Sequence, residues 1–382
     1  MTLYIFNPEH DYALANNDPH FMAPASAVRF ATDCALFLRH IVPEESFIFI
    51  PHSESQRFYS VTAQQFMGIP TDIQRIQPWG WDPLVLRQCQ EVFPDFAAID
   101  PAVASNVHRL AHRRNTIDAM EFLHQHAPEN LPFPETASEL FTTAEMEAYV
   151  REHQNVIFKS PYSGNGRGHL YAHGHCSPTL LRQGGGVIRR QGSIMAEPLY
   201  NVVQDFAMEF HCQRGNTSFC GYSLFNTRHY GYAGNLLLAD NLIEGKLSRW
   251  ISTVHLYAVR DTLLQYLNQH IAPVYDGYLG VDMFFYEQTN QVRLNPMVEI
   301  NLRMTMGMAA HILTEKHLHP ESTGTMQLEY DPTPGGLRRR METQPPMATK
   351  EGRWHHGVLA LNPVSKETQY AITVNITNQQ NY

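Results

Sequence analysis

A pair of apolar runs joined by a short polar turn constrains the fold of this chain more than any other feature. Residues 278–286 and 291–301 have the β-branched and aromatic content of strands, and Thr289 and Asn290 lie between them. Because so short a connection joins antiparallel neighbours, the two runs predict a β-hairpin centred on those two residues.

The hairpin carries acidic side chains at positions that matter for its chemistry. In the predicted register Asp282 lies opposite about position 297, so we expect it to be a diagonal neighbour of Glu299. Glu299 and Asn301 are two positions apart, and the strand period places both on one face, with Arg303 next in line. Converging oxygen donors suit Mg²⁺. A solvated polar face is the alternative, and it would be favoured for one acid alone.

Arg303 has two interpretations of its own. Its planar guanidinium is suited to a phosphate or acyl-phosphate oxygen, or it is a charge partner for Glu299. Both roles are compatible with each other.

A glycine-rich segment follows a predicted strand that ends at Lys159. The segment contains Gly164, Gly166 and Gly168, and glycine lets backbone amides approach a phosphate closely while a lysine adds a point charge. The spacing matches neither the P-loop nor the dinucleotide fingerprint. A plain flexible hairpin loop is the alternative.

The run Glu197, Pro198 and Leu199 stands at the end of another predicted strand, residues 194–197. A segment that leaves a strand between two units can offer backbone groups to adenine and a carboxylate to its amino group or to the ribose. An ordinary strand end is the alternative.

Six further residues are candidate substrate contacts. Four of them form the loop after the first predicted strand, where ligands of open α/β sheets bind, and the other two belong to the segment NTRHYGYAGN. The alternative is that they cap turns or stabilise loops. The six are Asn7, Glu9, His10, Asp11, Arg228 and Asn235.

Composition and charge restrict the class of protein. A chain of 382 residues normally forms two or three compact units. Its formal charge of -9 argues against broad attachment to nucleic acid or anionic lipid. No run reaches the ~18 apolar residues of a membrane span. Five cysteines without a CxxC pair and an N-terminus without a basic leader favour the cytoplasm.

Hydrophobic periodicity outlines the remaining elements. Alternating strands and helices in the first part of the chain predict a parallel sheet. Helices are expected over residues 26–41, with Ser26 as N-cap, over 104–125 and over 247–270. Residues 331–352 are expected to form an exposed connection.

The order of these motifs resembles that of the ATP-grasp superfamily. Lys159 with GNGRG, then AEPL, GVDMFF and EINLR carry the resemblance, which covers about residues 110–310. It implies an α/β fold in four parts: an N-terminal parallel α/β domain over 1–110, a linker helix and lid over 111–196, a C-terminal antiparallel-sheet subdomain over 197–330, and an extension over 331–382.

The resemblance also implies cofactors and residue roles. ATP and Mg²⁺ are expected, with Arg303 and Lys159 as catalytic residues and Asp282, Glu299 and Asn301 as magnesium ligands. Arg113 and Arg114 stand where many relatives have lysine, and Leu302 replaces a proline. The residues implied in nucleotide binding are Arg114, Lys159, Gly164, Gly166, Gly168, Glu197, Pro198, Leu199 and Asp205.

Such enzymes activate a carboxylate as an acyl phosphate, which an amine or thiol then attacks. The resemblance therefore implies a ligase whose partners are a small-molecule carboxylate and a small-molecule amine. We expect no nucleic-acid or membrane partner, and a homodimer is possible. Two alternatives stay open, a small-molecule kinase and a nucleotide-binding regulatory module without turnover.

Overall fold

Three β-sheets organise the part of the chain that the computed structural model describes. No helix in that part is both long enough and apolar enough to cross a bilayer. The described residues are 1–53, 57–94, 96, 99–163, 168–228 and 231–378.

The first sheet has five strands in the order β4-β3-β2-β1-β5. Strand β1 is parallel to β2 and β5, as predicted, whereas β3 and β4 are antiparallel to their neighbours. The connections that lead to β3 and β4 are too short for the crossover that parallel pairing requires, so the expectation of a parallel sheet is wrong there. The elements of this part are β1 (Thr2–Ile5), α1 (His10–Asn16), α2 (Ala25–Cys34), β2 (Ser46–Phe49), β3 (Phe58–Ser60), β4 (Gln65–Met67), β5 (Arg75–Pro78) and α3 (Pro83–Val92).

Two of the predicted helices differ in detail from the structure. Helix α2 has Pro24 rather than Ser26 at its N-cap, and the chain continues after it as a 3₁₀ helix, Ala35–His40. The helix predicted over 104–125 is two helices, α4 (Val103–Ala111) and α5 (Asn115–His126). The side-chain amide of Asn115 donates hydrogen bonds to the carbonyls of Arg109 and Leu110, both at 2.9 Å, and so caps the end of α4.

The second sheet, within the predicted lid, has four strands in the order β6-β9-β7-β8 and an apolar cluster of its own. The loop between β7 and β8 contains Gly164 and Gly166, which lie outside the described residues. Its elements are β6 (Ser138–Leu140), α6 (Thr143–His153), β7 (Asn155–Lys159), β8 (Leu170–His173), α7 (Pro178–Gln191) and β9 (Ile194–Pro198).

The third sheet has nine strands in the order β14-β13-β10-β11-β12-β15-β18-β17-β16, and the pairs that flank the site are antiparallel. Its elements are β10 (Asn201–Gln213), β11 (Asn216–Arg228), β12 (Gly231–Leu237), α8 (Asp240–Leu247), α9 (Thr253–His270), β13 (Gly277–Gln288), β14 (Gln291–Asn301), α10 (Met306–His317), β15 (Ser322–Tyr330), α11 (Gly336–Glu342), β16 (Ala348–Lys350), β17 (Arg353–Ala360) and β18 (Tyr370–Asn378).

The later part of the chain corrects two further expectations. The helix predicted over 247–270 begins only at Thr253, because Ser252 caps a new helix by accepting a hydrogen bond from the backbone of His255. The segment 331–352 is not a plain connection, since it contains α11 and β16. Strands β17 and β18 extend the sheet that β15 belongs to, while the domain boundaries stay predictions.

Strand β10 separates the core from the site. Phe206, Met208 and Phe210 point into the large apolar cluster that also holds Leu263 and Leu267 of α9. The intervening residues of β10 face the opposite side of the sheet, because successive side chains alternate. That opposite face is the floor of a cavity.

Candidate nucleotide and metal site

A cavity of about 790 Å³ lies between the nine-stranded sheet and the lid. Ile157, Lys159 and His169 line it from the lid. Five adjacent strands, β14, β13, β10, β11 and β12, supply the floor, and the first turn of α10 closes one end. A space of this size suits a small-molecule ligand.

The acidic hairpin is confirmed, with one change of register. Thr289 and Asn290 both have positive φ, 50° and 60°, which two-residue hairpin turns require. Asp282 pairs directly with Glu299, so the expected diagonal arrangement is wrong. The register shifts between Asp282 and Phe284. Pro296 lies on the opposing segment, where it has no N–H for the ladder.

The electrostatics of this pair favour a bound cation. Asp282 is half-buried on the cavity floor, and its desolvation, followed by the negative charges of Glu299 and Glu209, raises its pKa well above the usual range. Asn301 Nδ2 donates to Asp282 Oδ2 at 3.1 Å, but an amide supplies no countercharge. The Asp282 and Glu299 carboxylates therefore fit Mg²⁺.

The third predicted ligand would reach a cation only after a rotation of its amide. Asn301 Oδ1 accepts a hydrogen bond from Arg303 Nη2 at 3.0 Å, so its nitrogen faces Asp282. Within the described residues, no group of three or more His, Cys, Asp or Glu side chains is arranged to hold a metal. The candidate cation site consequently depends on two carboxylates and this amide.

Arg113, rather than Arg114, is the arginine that reaches the acidic pair. Arg113 Nη2 lies 2.7 Å from Glu299 Oε1, and its side chain is 4% exposed. Its guanidinium also donates to Ser163 Oγ at 2.8 Å and to the Ser163 carbonyl at 3.0 Å. The side chain of Arg114 is 61% exposed and lies near Glu139 instead. The placement of Arg114 at the nucleotide is therefore not supported by the geometry.

Arg303 links the cavity to the N-terminal loop. Its Nε lies 3.3 Å from Asp11 Oδ1, while Arg113 pairs with Glu299, so Asp11 is the direct charge partner of Arg303. Burial alone would lower the pKa of Arg303, but Asp11 and Glu299 outweigh it and raise the pKa. Arg303 is thus a fixed cation on the cavity wall.

Lys159 lines the cavity, whereas the segment predicted to hold adenine does not. Lys159 Nζ lies 2.8 Å from Glu197 Oε2. Glu197, Pro198 and Leu199 are not among the lining residues, whereas the run from Tyr200 to Asp205 is. Asp205 therefore lines the cavity, and its role in nucleotide binding stays a prediction.

The N-terminal loop is largely buried. Asn7 Nδ2 donates to Asp82 Oδ2 at 2.9 Å, and His10 Nδ1 lies 3.2 Å from the same oxygen. Glu9 Oε1 contacts His52 Nε2 at 3.0 Å. Asn7, Glu9 and His10 are each at most 2% exposed, and the buried contacts of Asn7 and Glu9 favour structural roles. Asp11 reaches the site through Arg303, and His10 and Asp11 line a small pocket that also includes Glu299 and Arg303.

Of the remaining predicted residues that the structure describes, only Asn235 is placed in the cavity. Asn235 is buried in β12 and lines the cavity. Arg228 ends β11, but its side chain lies outside the described part of the chain. Gly168 has a φ of +84°, which L-residues rarely adopt, and a Cβ there would meet no atom within 4 Å. Because Gly168 alone of the three predicted glycines is described, phosphate binding by this loop stays a prediction.

Glu209 and His169 are ionisable residues of the cavity that were not singled out from the sequence. Glu209 is a lone acid within the apolar run of β10, and that interruption is the signal that marks it. His169 precedes β8, and its burial, with the charges of Lys159 and Arg113, lowers its pKa to about 3. His169 is consequently neutral at ordinary pH.

Comparisons with known proteins identify the fold. No protein-family model matches the chain, and no curated protein matches it in sequence. N5-carboxyaminoimidazole ribonucleotide synthetase from Thermus thermophilus is 9% identical, with a TM-score of 0.52 over 99% of this chain and 94% of that one. N5-carboxyaminoimidazole synthetase from Staphylococcus aureus is 10% identical, with a TM-score of 0.51 over 100% and 94%.

A third solved structure has a different named activity and a similar score. Biotin carboxylase from Campylobacter jejuni, solved as a β,γ-ATP complex, is 13% identical, with a TM-score of 0.51 over 99% of this chain and 87% of that one. Likeness at such low identity is a likeness of fold. The chain shares its overall fold with these solved structures over nearly its whole length.

Proposed function

We propose that the protein is an ATP-dependent ligase that activates a small-molecule carboxylate as an acyl phosphate for attack by a second substrate. The observation that carries this proposal is the directly paired Asp282 and Glu299 on the floor of the cavity, with Arg303 beside them and Lys159 above. The solved structures of similar fold include a biotin carboxylase described as a β,γ-ATP complex.

The residues of the cavity have separable tasks in this reaction. Lys159 and Arg303 are cations on opposite walls, suited to hold phosphate oxygens in line with the attacking carboxylate. Asp282, Glu299 and, after rotation of its amide, Asn301 would hold Mg²⁺, which when bound neutralises charge on the phosphates. Enclosure by the lid excludes water from the acyl phosphate.

We expect Mg-ATP to raise the thermal midpoint of the protein. A ligand that binds only the folded state stabilises it by mass action, by about 2.7 kcal/mol at a hundredfold excess over Kd. The measurement is a thermal melt with ATP and Mg²⁺, and the control replaces Mg²⁺ by EDTA. The same midpoint in all conditions at millimolar ATP would contradict nucleotide binding at this site.

ADP release then distinguishes the possible outcomes. For a ligase, ADP should form only when a carboxylate and an acceptor are both supplied from a panel of small molecules. A stable phosphorylated product without an acceptor would indicate a kinase, and binding without any turnover would indicate a regulatory module. The partners are, in this proposal, small molecules; cytoplasmic location and a homodimer stay predictions.

A further inference from the structure

A buried carboxylate on the cavity wall has no part in the proposed nucleotide site. Glu209 is 1% exposed, yet it lines the cavity from β10. Ser223 Oγ donates to its Oε1 at 2.9 Å, and Thr305 Oγ1 donates to its Oε2 at 2.8 Å. Both carboxylate oxygens are thereby held in fixed directions by hydroxyl groups.

Glu209 lacks a direct countercharge within the described part of the chain. The charged and titratable groups nearest it on neighbouring elements are Asp282 on β13, Cys220 on β11, His311 on α10 and Arg303 after β14. None of them forms an ion pair with it, and burial raises its pKa to about 7 despite the hydroxyl donors. A buried carboxylate with only neutral hydrogen-bond donors either takes up a proton or is stabilised by a ligand that supplies positive charge.

The surrounding backbone is fitted closely to this carboxylate. A Cβ at Gly307 would lie 2.1 Å from Glu209 Oε1, and a Cβ at Gly280 would lie 2.8 Å from Oε2. Two glycines on different elements therefore make room for one acidic group. Such an arrangement holds the group at the cavity wall rather than in the apolar core.

Strand register places Asp205 and Glu209 on opposite sides of Asp282, one of the proposed magnesium ligands. In the proposed site the nucleotide lies on the Asp205 side. On β10, Asp205 is opposite Phe284, Ala207 is opposite Asp282 and Glu209 is opposite Gly280. At about 3.3 Å per residue, Glu209 lies roughly 13 Å beyond Asp205, with Asp282 level with the midpoint. A nucleotide that extends from Asp205 to Asp282 would point its terminal phosphate towards Glu209.

We propose that Glu209, held by Ser223 and Thr305, binds the amino group of the acceptor substrate. This inference rests on the proposed function and commits it to an amine rather than a thiol. An ammonium group supplies positive charge and three N–H donors, whereas a thiol supplies no charge. Before its nitrogen attacks the acyl phosphate, the ammonium loses one proton, for which the Glu209 carboxylate is the nearby acceptor.

The test uses simple amines as probes, because they need no knowledge of the natural substrate. Methylammonium is titrated calorimetrically into the full chain, with and without magnesium and a non-hydrolysable ATP analogue. Tetramethylammonium is the control, since it has the charge but no N–H donor. We expect wild type to bind methylammonium in preference, and Glu209→Gln to bind it about tenfold more weakly or worse, the effect of losing one charge-assisted hydrogen bond.

Two further variants keep the outcome decisive if Glu209→Gln does not fold. Ser223→Ala should weaken methylammonium binding, while Thr305→Ser, which retains the hydroxyl, should not. Equal binding of the two cations by wild type, or unchanged binding by Glu209→Gln, would overturn the amine subsite. If instead the ATP analogue fails to bind wild type, the proposed function fails, and the titration without nucleotide still decides the role of Glu209.

Discussion

Replacement of Arg113 by alanine is expected to lower the free energy of unfolding by about 1–3 kcal/mol, the effect of leaving a half-buried charged group without its hydrogen-bond partner. Arg113 is 4% exposed and pairs with Glu299, whose carboxylate would lose its direct cationic partner. The variant would also lose the hydrogen bonds from Arg113 to Ser163 at the base of the lid. Both losses act on the folded state.

Arg114 provides a matched control for this experiment. It is the next residue in the chain, carries the same charge and is 61% exposed, so Arg114→Ala should change the free energy of unfolding by less than about 0.5 kcal/mol. Urea denaturation of the two variants and wild type at one pH measures the difference. Similar losses for both variants would show that Arg113 is not the structural partner of Glu299.

The contrast between these neighbours shows where local sequence information ends. The sequence predicts a basic contact at the junction of α4 and α5, but the choice of residue depends on where the first helix stops. Asn115 determines that point by capping α4, and a continuous helix over 104–125 gives no reason to expect the cap. The direction of a side chain at a helix end is set by such contacts.

The hairpin was predictable because its signals are local. Strand period, turn residues and the spacing of Glu299 and Asn301 all fall within one short stretch of sequence. The direct pairing of Asp282 with Glu299 was not predictable, because the register shift that produces it depends on how the two strands twist together around Pro296.

Buried polar residues were the hardest to interpret from sequence. The N-terminal loop looked like a substrate site, yet His10 and Asn7 both contact Asp82, more than seventy positions away. Glu209, by contrast, could not be recognised as a cavity residue from the sequence. Its partners Ser223 and Thr305 lie on other elements, and no motif surrounds it. Only the folded chain shows that the first group supports structure and that the second lines a cavity.

Replacement of Asp282 by asparagine is expected to act in opposite directions on stability and on function. Without metal, the variant should be more stable than wild type at neutral pH, by about 0.5–2 kcal/mol, because an unfavourable half-buried charge is removed. Its turnover should fall by about 10²–10³-fold or more, as expected for losing one electrostatic contact to the reacting groups. The stabilisation by ATP should no longer depend on Mg²⁺.

The pH dependence of the stability gain gives this prediction its sharpest test. The pKa of Asp282 is higher in the folded state than in the unfolded chain, where it is about 3.9. Below that pH both states hold the proton, and above it the unfolded chain ionises first, so wild type loses stability as pH rises. In EDTA, the advantage of Asp282→Asn should therefore grow from about pH 4 upwards. Glu287→Gln, at the exposed end of the same strand, is the control, and an Asp282→Asn variant less stable than wild type at pH 7 would show that the carboxylate is stabilising and that no cation is needed to balance it.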